Sequence, residues 1–414
     1  MKIATGKADV EHCLYIDDAT KKLLGAATRP PIRLVKIGVG ERKVAVGGEV
    51  VQFRHEKTFY HPPAIMVNIS DTWSIENIQE VAKRVEKQFF TRVGQDLFLN
   101  GVAIRNDSHS PEQFGTAVAA VEACSSLPEV LIAGELSSLE KGLAECGNYR
   151  ALIHGATEET WKEMTTLTKK FGCPLTVKGQ NIDELAEMTE LCIAEGIENL
   201  VLDFNPSSLG EFINTSTKIR KAAIQRTLPA VGYPILLDTT RSGFGDAANA
   251  LGVLKYASVI ITNPLSYPKT HSLLTLRQNI YTDPQKPIQV TPGIYRVNNP
   301  GKDAPLLLTV NFSLTYFTVL GYLESANISS FLLIVDTEGL SVLTAVAAGK
   351  LNEFLVKDSL KKYGVAEVIN HRTLIIPGYA APLSGKIQDE TGWQVKVGPR
   401  DAAEIAEFLD KELK

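Results

Sequence analysis

Phe331-Leu-Leu-Ile-Val-Asp336-Thr-Glu-Gly339-Leu-Ser341-Val-Leu-Thr344 passes from an apolar run into Asp-Thr-Glu-Gly and then into small helix-forming residues. That order predicts a strand, a tight turn and the start of a helix. In open α/β sheets ligands sit beyond the carboxyl ends of strands. A Gly there lets the backbone approach a flat or anionic ligand, and Ser and Thr hydroxyls add short donors and acceptors. Every βα unit has such a turn, so by itself the stretch reads more often as an ordinary connection.

The flanking sequence repeats the alternation. Leu306–Phe312, Phe331–Val335, Thr373–Ile376 and Gln394–Val397 are expected strands, and Ser313–Glu324, Ser341–Tyr363, Leu383–Thr391 and Ala402–Leu413 expected helices. Residues 301–414 therefore predict a compact α/β domain. Before it, residues 264–308 are rich in X-Pro pairs, since Pro neither continues a helix nor donates to a ladder, and read as a connector with one helix, Ser272–Ile280.

Residues 62–300 hold eight β-rich runs: Ala64–Ile69, Leu97–Ile104, Glu129–Ala133, Arg150–His154, Leu175–Lys178, Asn199–Phe204, Pro234–Asp238 and Ala257–Thr262. Helical patterns such as Ile75–Phe90, Pro111–Ala123, Glu158–Phe171, Asn181–Ile193 and Ser207–Arg226 lie between them. Eight strand–helix units predict a (β/α)8 TIM barrel; a doubly wound eight-stranded sheet is the alternative. Residues 31–61 predict a short β lead-in, Arg33–Ile37 and Lys43–Val46. Residues 1–30 do not read as the start of a domain.

Barrel chemistry belongs at strand carboxyl ends. Asn68, Ser70, Asp71, Asn106, Asp107, His154, Asp203, Asn205, Asp238, Thr239, Thr240 and Asn263 fall there. Fixed carboxylates and amides could hold a pterin ring; Asp and Asn are also common helix caps, which is the more ordinary reading. His55, His61, His109, His154 and His271 are too scattered for a metal motif and read as structural.

Composition bounds the rest. Apolar residues make up 44% and charged residues 22%, with a net charge of −4, so no polyanion or membrane partner is expected. No run is long enough to span a bilayer, and no signal peptide is visible. Cys13, Cys124, Cys146, Cys173 and Cys192 lack CxxC spacing and read as reduced thiols in a cytoplasm.

TVNFSLTYF (309–317), DTEGLSVLTAVAAGK (336–350), NHRTLIIPGYAAPLSGK (370–386), GWQVKVGPR (392–400) and RQNIYTDPQKPIQV (277–290) together resemble the large (gamma) subunit of the corrinoid/iron–sulfur protein. This family is the methyl carrier of the anaerobic acetyl-CoA (Wood–Ljungdahl) pathway, with a counterpart in acetyl-CoA decarbonylase/synthase. The resemblance implies a flavodoxin-like corrinoid-binding domain after the barrel. It implies that Co(I) accepts a methyl group from a methyl-tetrahydropterin, through a methyltransferase. Methyl-Co(III) then delivers it to the nickel–iron–sulfur site of acetyl-CoA synthase.

Carried over by motif, the cofactor-binding residues are Thr309, Thr315, Gly339, Leu340, Ser341, Val342, Thr344 and Ala403. Thr309 and Thr315 would hydrogen-bond the corrin periphery or nucleotide tail; strand-end packing is the ordinary alternative. Gly339 to Val342 would lie under the macrocycle, Thr344 near the cobalt's lower face, and Ala403 at a helix N-terminus facing the nucleotide-loop phosphate. No Asp-x-His-x-x-Gly motif occurs and His371 precedes a strand, so a base-off cobamide is expected.

The family's N-terminal domain holds a [4Fe–4S] cluster on four cysteines. Residues 1–30 resemble its end, with Cys13 at the last ligand position, and one thiolate cannot hold a cubane. No cluster is expected, nor the electron relay through it that rescues Co(II). The implied partners are a small corrinoid-protein subunit in an obligate heterodimer, the methyltransferase, acetyl-CoA synthase and a reductive activator or ferredoxin. Two other readings stand beside this one: a barrel that binds methyl-pterin at Asn68, Asp203 and Asp238 and transfers the methyl group directly, and a non-catalytic assembly scaffold.

Overall fold

The computed structural model describes residues 17–412 except 18–19, 21–23, 26, 41–42, 147–150, 242–243 and 284–286. Cys13 lies outside the described residues. The chain divides into two compact units, one formed by residues 1–90 and 97–281, the other by 91–96 and 282–414.

The first unit opens with an antiparallel hairpin, β1 (Leu34–Ile37) and β2 (Val44–Gly47). The barrel strands are β3 (Ala64–Ser70), then β6 (Gly101–Arg105), β7 (Glu129–Ile132), β8 (Leu152–Ala156), β9 (Leu175–Lys178), β10 (Leu200–Asp203), β11 (Ile235–Asp238) and β12 (Ala257–Thr262), with the short strands β4 (Phe89–Arg92) and β5 (Gln95–Phe98) between β3 and β6. The eight barrel strands run parallel and close into a ring, β12 pairing back onto β3 with Val259 opposite Ala64. Closure rules out the open eight-stranded sheet. Successive side chains point to opposite faces of a strand, so Ala64, Met66, Ala103, Val130, Leu152, Val201, Leu236 and Val259 fill the interior. Their neighbours Ile65, Val67, Val102, Leu131, Ile153 and Leu202 belong to the larger core that includes the surrounding helices. Val35, Ile37 and Val46 of the lead-in hairpin join the interior cluster.

The expected single strand Leu97–Ile104 is two. β5 pairs with β4 as a hairpin, and only Gly101 onward enters the barrel. A Cβ at Gly101 would sit 2.2 Å from the Pro128 carbonyl, so the glycine admits the neighbouring strand at this joint. The helix expected to reach Phe90 stops at Lys87.

The second unit is a five-stranded sheet: β13 (Gly293–Val297), β14 (Leu306–Val310), β15 (Ser330–Val335), β16 (Thr373–Ile376) and β17 (Gln394–Val397), in the order β13-β15-β14-β16-β17. Only β13 is antiparallel, and it pairs with β15 at the edge. It lies inside the stretch expected as a connector, between Pro292 and Pro300, and an edge strand tolerates such flanking prolines. The buried, continuous apolar runs of β14 and β15 follow from helices covering both faces. On one face the helix Ser313–Ser325 packs Tyr316 and Leu323 against Leu307 and Leu332, beside Ile405 and Leu409. On the other, Val342, Ala345, Val356, Leu360 and Ile387 pack on Leu306, Leu308 and Leu333.

The helix expected over Ser341–Tyr363 is broken. Val342–Ala347 ends where Gly349 turns left-handed at φ +67°, and Asn352 caps a new helix at Glu353.

Candidate functional site

The parallel strands of the second unit fix where a ligand can sit. The chain leaves β14 toward β15 on one face and returns from β15 to β16 on the other, passing over β14. The connections diverge beyond the carboxyl ends of β14 and β16, which is where open α/β sheets leave a crevice. A cavity of about 480 Å³ lies there.

Its walls come from strand ends and the turns after them. Thr309 leads from β14, Ile376 and Pro377 from β16, and Gly398, Pro399 and Arg400 follow β17. Thr315 and Thr318 face it from the helix Ser313–Ser325, and Ser341, Val342 and Leu343 from the turn and helix after β15. The mouth is apolar and open: Leu343 is 60% exposed, Leu314 52% and Tyr379 44%.

Of the residues expected from sequence, Thr309, Thr315, Ser341 and Val342 line this one cavity. Gly339, Leu340, Thr344 and Ala403 do not line it. Thr344 shares a 3.0 Å hydroxyl contact with Ser341, and Ser341 caps its own helix by accepting the Thr344 N–H. Ala403 gives its backbone N–H to Asp401 Oδ1 at 3.0 Å, so that amide is engaged within its own turn.

Thr309 is the chemically distinctive wall. Its side chain is buried and its Oγ1 has no hydrogen-bond partner among the described residues. A buried hydroxyl left unpaired costs about 1–3 kcal/mol, so it marks a place where a ligand atom would be a net gain.

Asn311 was not recognised in the sequence, although it stands in the quoted block. It is buried one residue past β14. Its Oδ1 accepts the N–H groups of Thr337 and Gly339, both at 3.0 Å, and the Thr337 hydroxyl at 3.1 Å. Its Nδ2 donates to Asp336 Oδ1 at 2.9 Å. One side chain thus shapes the whole Asp-Thr-Glu-Gly turn. Arg400 and Tyr379 were likewise unremarked, lying in turns whose closeness to Thr309 only the fold creates.

His371 is at the other end of the sheet. Its Nε2 lies 2.9 Å from the Ala304 carbonyl and its Nδ1 accepts the Thr373 N–H at the start of β16. It is the one histidine in residues 301–414.

The barrel's strand-end polar groups form a closed network of their own. Arg105 donates to Asp238 at 2.8 Å and to Asn68 and Thr240 at 3.3 Å each. His154 Nε2 meets Asp203 Oδ2 at 3.0 Å, and Arg241 approaches both carboxylates at 3.7 and 3.8 Å. Burial pushes Asp203 toward the neutral form, but the His154 hydrogen bond and the His154 and Arg241 charges outweigh it and hold the carboxyl below its usual range. Asp238 behaves alike, with the Arg105 charge the main opponent of burial. Asp71 accepts from Asn106, Asp107 and Ser108, tying two strand-end loops together. His61 meets the Gly47 carbonyl, His55 stacks on Phe53, and His271 lies tilted against Phe90.

A parallel barrel joined in sequence to a doubly wound domain with a crevice at its switch point defines the class. The model of the family described as CO dehydrogenase/acetyl-CoA synthase delta subunit matches residues 34–409. The corrinoid/iron-sulfur protein large subunit of Moorella thermoacetica is 39% identical, the match covering 100% of this chain and 93% of that one. The acetyl-CoA decarbonylase/synthase complex subunit gamma of Archaeoglobus fulgidus is 37% identical, over 93% of this chain and 85% of its own. The chain belongs to this family, and its full-length likeness is to the large and gamma members. Among solved structures, a Yersinia pestis DHPS with a pterine-sulfa conjugate is similar over 53% of this chain and 93% of its own, at 14% identity and a TM-score of 0.38, too distant to carry an argument.

Proposed function

We propose that the chain is the corrinoid-bearing subunit of a methyl carrier in the acetyl-CoA pathway, with the cofactor held at the crevice of a flavodoxin-like second unit. The unpartnered hydroxyl of Thr309 on the cavity wall carries the reading. The residues present suit a corrinoid. Its ring is flat and greasy with an amide fringe, and the walls are apolar with hydroxyls at Thr309, Thr315, Thr318 and Ser341. When bound, the corrinoid supplies a cobalt nucleophile that takes up a methyl group and gives it up again.

The protein's part is positioning. Thr309 and Thr315 would hold amide groups of the ring edge, and Ser341 and Val342 would support the ring from the turn that Asn311 shapes. Gly339, Leu340 and Thr344 would form the floor of that turn, and Ala403 would flank the wall residue Ala402. His371 is committed at the far end of the sheet, so this unit brings no imidazole to the ring, which favours a base-off cobamide.

An open crevice with an exposed apolar mouth leaves one side of a macrocycle uncovered, which suits a small partner subunit completing the site. The relatives' names are those of a corrinoid/iron-sulfur protein and of an acetyl-CoA decarbonylase/synthase complex, which supports work within a multi-subunit assembly; in this reading the chain exchanges its methyl group with a methyl-pterin methyltransferase and acetyl-CoA synthase. Direct methyl transfer by the barrel fits less well, because Asp203 and Asp238 are already paired with His154, Arg105 and Arg241.

The test is anaerobic co-purification of the full chain with its small subunit, addition of cobamide, and a visible spectrum after gel filtration. Stoichiometric cobamide on the wild type, and its loss on Thr309→Val with Thr315→Val, supports the reading. A complex that retains no cobamide overturns it.

A further inference from the structure

Only two of the residues lining the cavity are charged, Arg400 and Asp401. Asp401 is spent on its own turn, its Oδ1 accepting the Ala403 N–H. Arg400 makes no ion pair among the described residues, yet it is not a loose surface arm. Gly378 donates its N–H to the Pro399 carbonyl at 3.0 Å, which pins the peptide before Arg400. A Cβ on Gly378 would lie 2.8 Å from the Arg400 nitrogen and 2.9 Å from its Cγ, so the absence of a side chain there lets the stem of Arg400 lie down against the turn after β16. Beyond the stem, the guanidinium carbon sits 5.7 Å from the centre of the Tyr379 ring. Backbone, stem and head are each held, and the head stands at the rim of a cavity whose one other charged wall residue among the described residues, Asp401, turns an oxygen to its own backbone. A fixed guanidinium without a counter-ion is built to receive an anion, and its fork matches a phosphate's paired oxygens.

We propose that Arg400 is the residue that binds the phosphodiester of the cobamide's nucleotide loop. This rests on the reading of the crevice as the corrinoid site. The phosphodiester is the anionic group that a cobamide carries on its tail, and the corrin fringe is made of neutral amides. The hydroxyl-lined end of the cavity suits the fringe, and the Arg400 end suits the tail. The backbone N–H of Ala403 cannot take this part, since the Asp401 carboxylate accepts it and would repel an anion. Arg400 thereby makes the site selective for complete cobamides over corrinoids without the loop.

The experiment measures equilibrium binding of cobamide and of cobinamide, the same ring without nucleotide or phosphate, to the full chain with its small subunit. Corrinoid absorbance in the protein fraction is the readout, and no turnover is needed. The variants are Arg400→Gln and Arg400→Lys. Loss of a charge-assisted pair predicts cobamide affinity about tenfold or more weaker in Arg400→Gln, partial recovery in Arg400→Lys, and cobinamide binding unchanged in both. The salt dependence of cobamide binding falls with the charge. Equal weakening for both corrinoids makes Arg400 a packing residue and overturns the proposal, as does no weakening for either. A wild-type complex that binds neither corrinoid overturns the corrinoid reading itself. One that binds both equally overturns only the role given to Arg400.

Discussion

Asn311, one residue past β14, accepts the backbone N–H of Gly339 in the turn after β15 at 3.0 Å, across 28 positions of sequence. The same oxygen takes two further donors from Thr337. Replacing Asn311 by Ala strands these buried donors together, so we expect a loss of about 2–4 kcal/mol in the second unit. Asn311→Asp keeps the acceptor but faces the Asp336 carboxylate with a second one where Asn311 Nδ2 donated at 2.9 Å. That variant should be destabilised at neutral pH and regain stability on acidification. Urea unfolding at pH 7 and pH 5 measures both; an Asn311→Ala midpoint equal to wild type would refute the linchpin role.

The turn held by Asn311 has a second requirement. Gly339 has φ +78°, and a Cβ there would lie 2.7 Å from the Gln289 side chain. Gly339→Ala therefore combines left-handed strain of about 1–2 kcal/mol with a side-chain clash. Gln289→Ala in the same chain removes the clash and leaves the strain, so the double variant should recover part of the loss. Full recovery would mean that backbone strain contributes nothing.

How far the sequence revealed these features depends on whether the signal was local. The strand–turn–helix passage around Asp336 was legible from apolar runs and a Gly, whereas Thr309, Ser341 and Val342 were singled out by the family resemblance, since a Thr near a strand end reads locally as packing and a Ser at a helix start as a cap. The eight barrel runs were legible because fully buried parallel strands are continuous apolar segments. Asn311 was not, since an Asn after a strand reads as a cap and its partners lie 25 to 28 residues away. Arg105 and Arg241 were overlooked beside the carboxylates they neutralise, because pairing across a barrel mouth leaves no spacing pattern. Arg400 reaches the cavity through a turn with no periodicity, and only the close approach of Gly378 fixes it there.

Glu129 begins β7 with its carboxyl buried beside those of Glu122 and the thiol of Cys146, which donates to Glu129 Oε2 at 3.1 Å. Burial, reinforced by the Glu122 charge, pushes Glu129 up to about 8, and burial pushes Glu122 up to about 7. The two carboxyls share their protons and titrate as a pair. A carboxyl raised on folding binds more protons folded than unfolded. Its contribution is complete below the unfolded value of 4.5 and is lost as pH rises through about 8. Stability should therefore fall between pH 5 and pH 9. Glu129→Gln should flatten this slope and exceed wild type at pH 9, and urea midpoints across that range decide it.

At the barrel mouth Asp238 stays ionised against burial because Arg105 lies 2.8 Å away. Asp238→Asn removes the charge but not the guanidinium, and should cost about 1–3 kcal/mol. A carboxyl lowered on folding contributes stability above its unfolded value of 3.8 and loses it as pH falls through the folded one. Wild type should thus lose its advantage over Asp238→Asn below pH 3.8. Cobamide uptake by the second unit should be unaffected; loss of uptake in a folded Asp238→Asn protein would place the barrel mouth in the cofactor site.

Thr309 separates stability from binding most cleanly. Its hydroxyl is buried near the end of β14 with no partner among the described residues, so without cofactor it is a cost. Thr309→Val keeps the branched shape and removes that group. The cofactor-free variant should equal or exceed wild type in stability by about 1 kcal/mol, because no hydrogen bond is lost and an unpaired polar atom is removed. With cobamide the order reverses. A hydroxyl that reaches a corrin amide is worth about 0.5–1.5 kcal/mol, so Thr309→Val should bind cobamide up to about tenfold more weakly. Thermal unfolding with and without saturating cobamide shows both halves in one experiment, as a smaller ligand-induced shift from a higher starting point. A variant less stable than wild type without cofactor would mean that the hydroxyl already has a partner in the free protein.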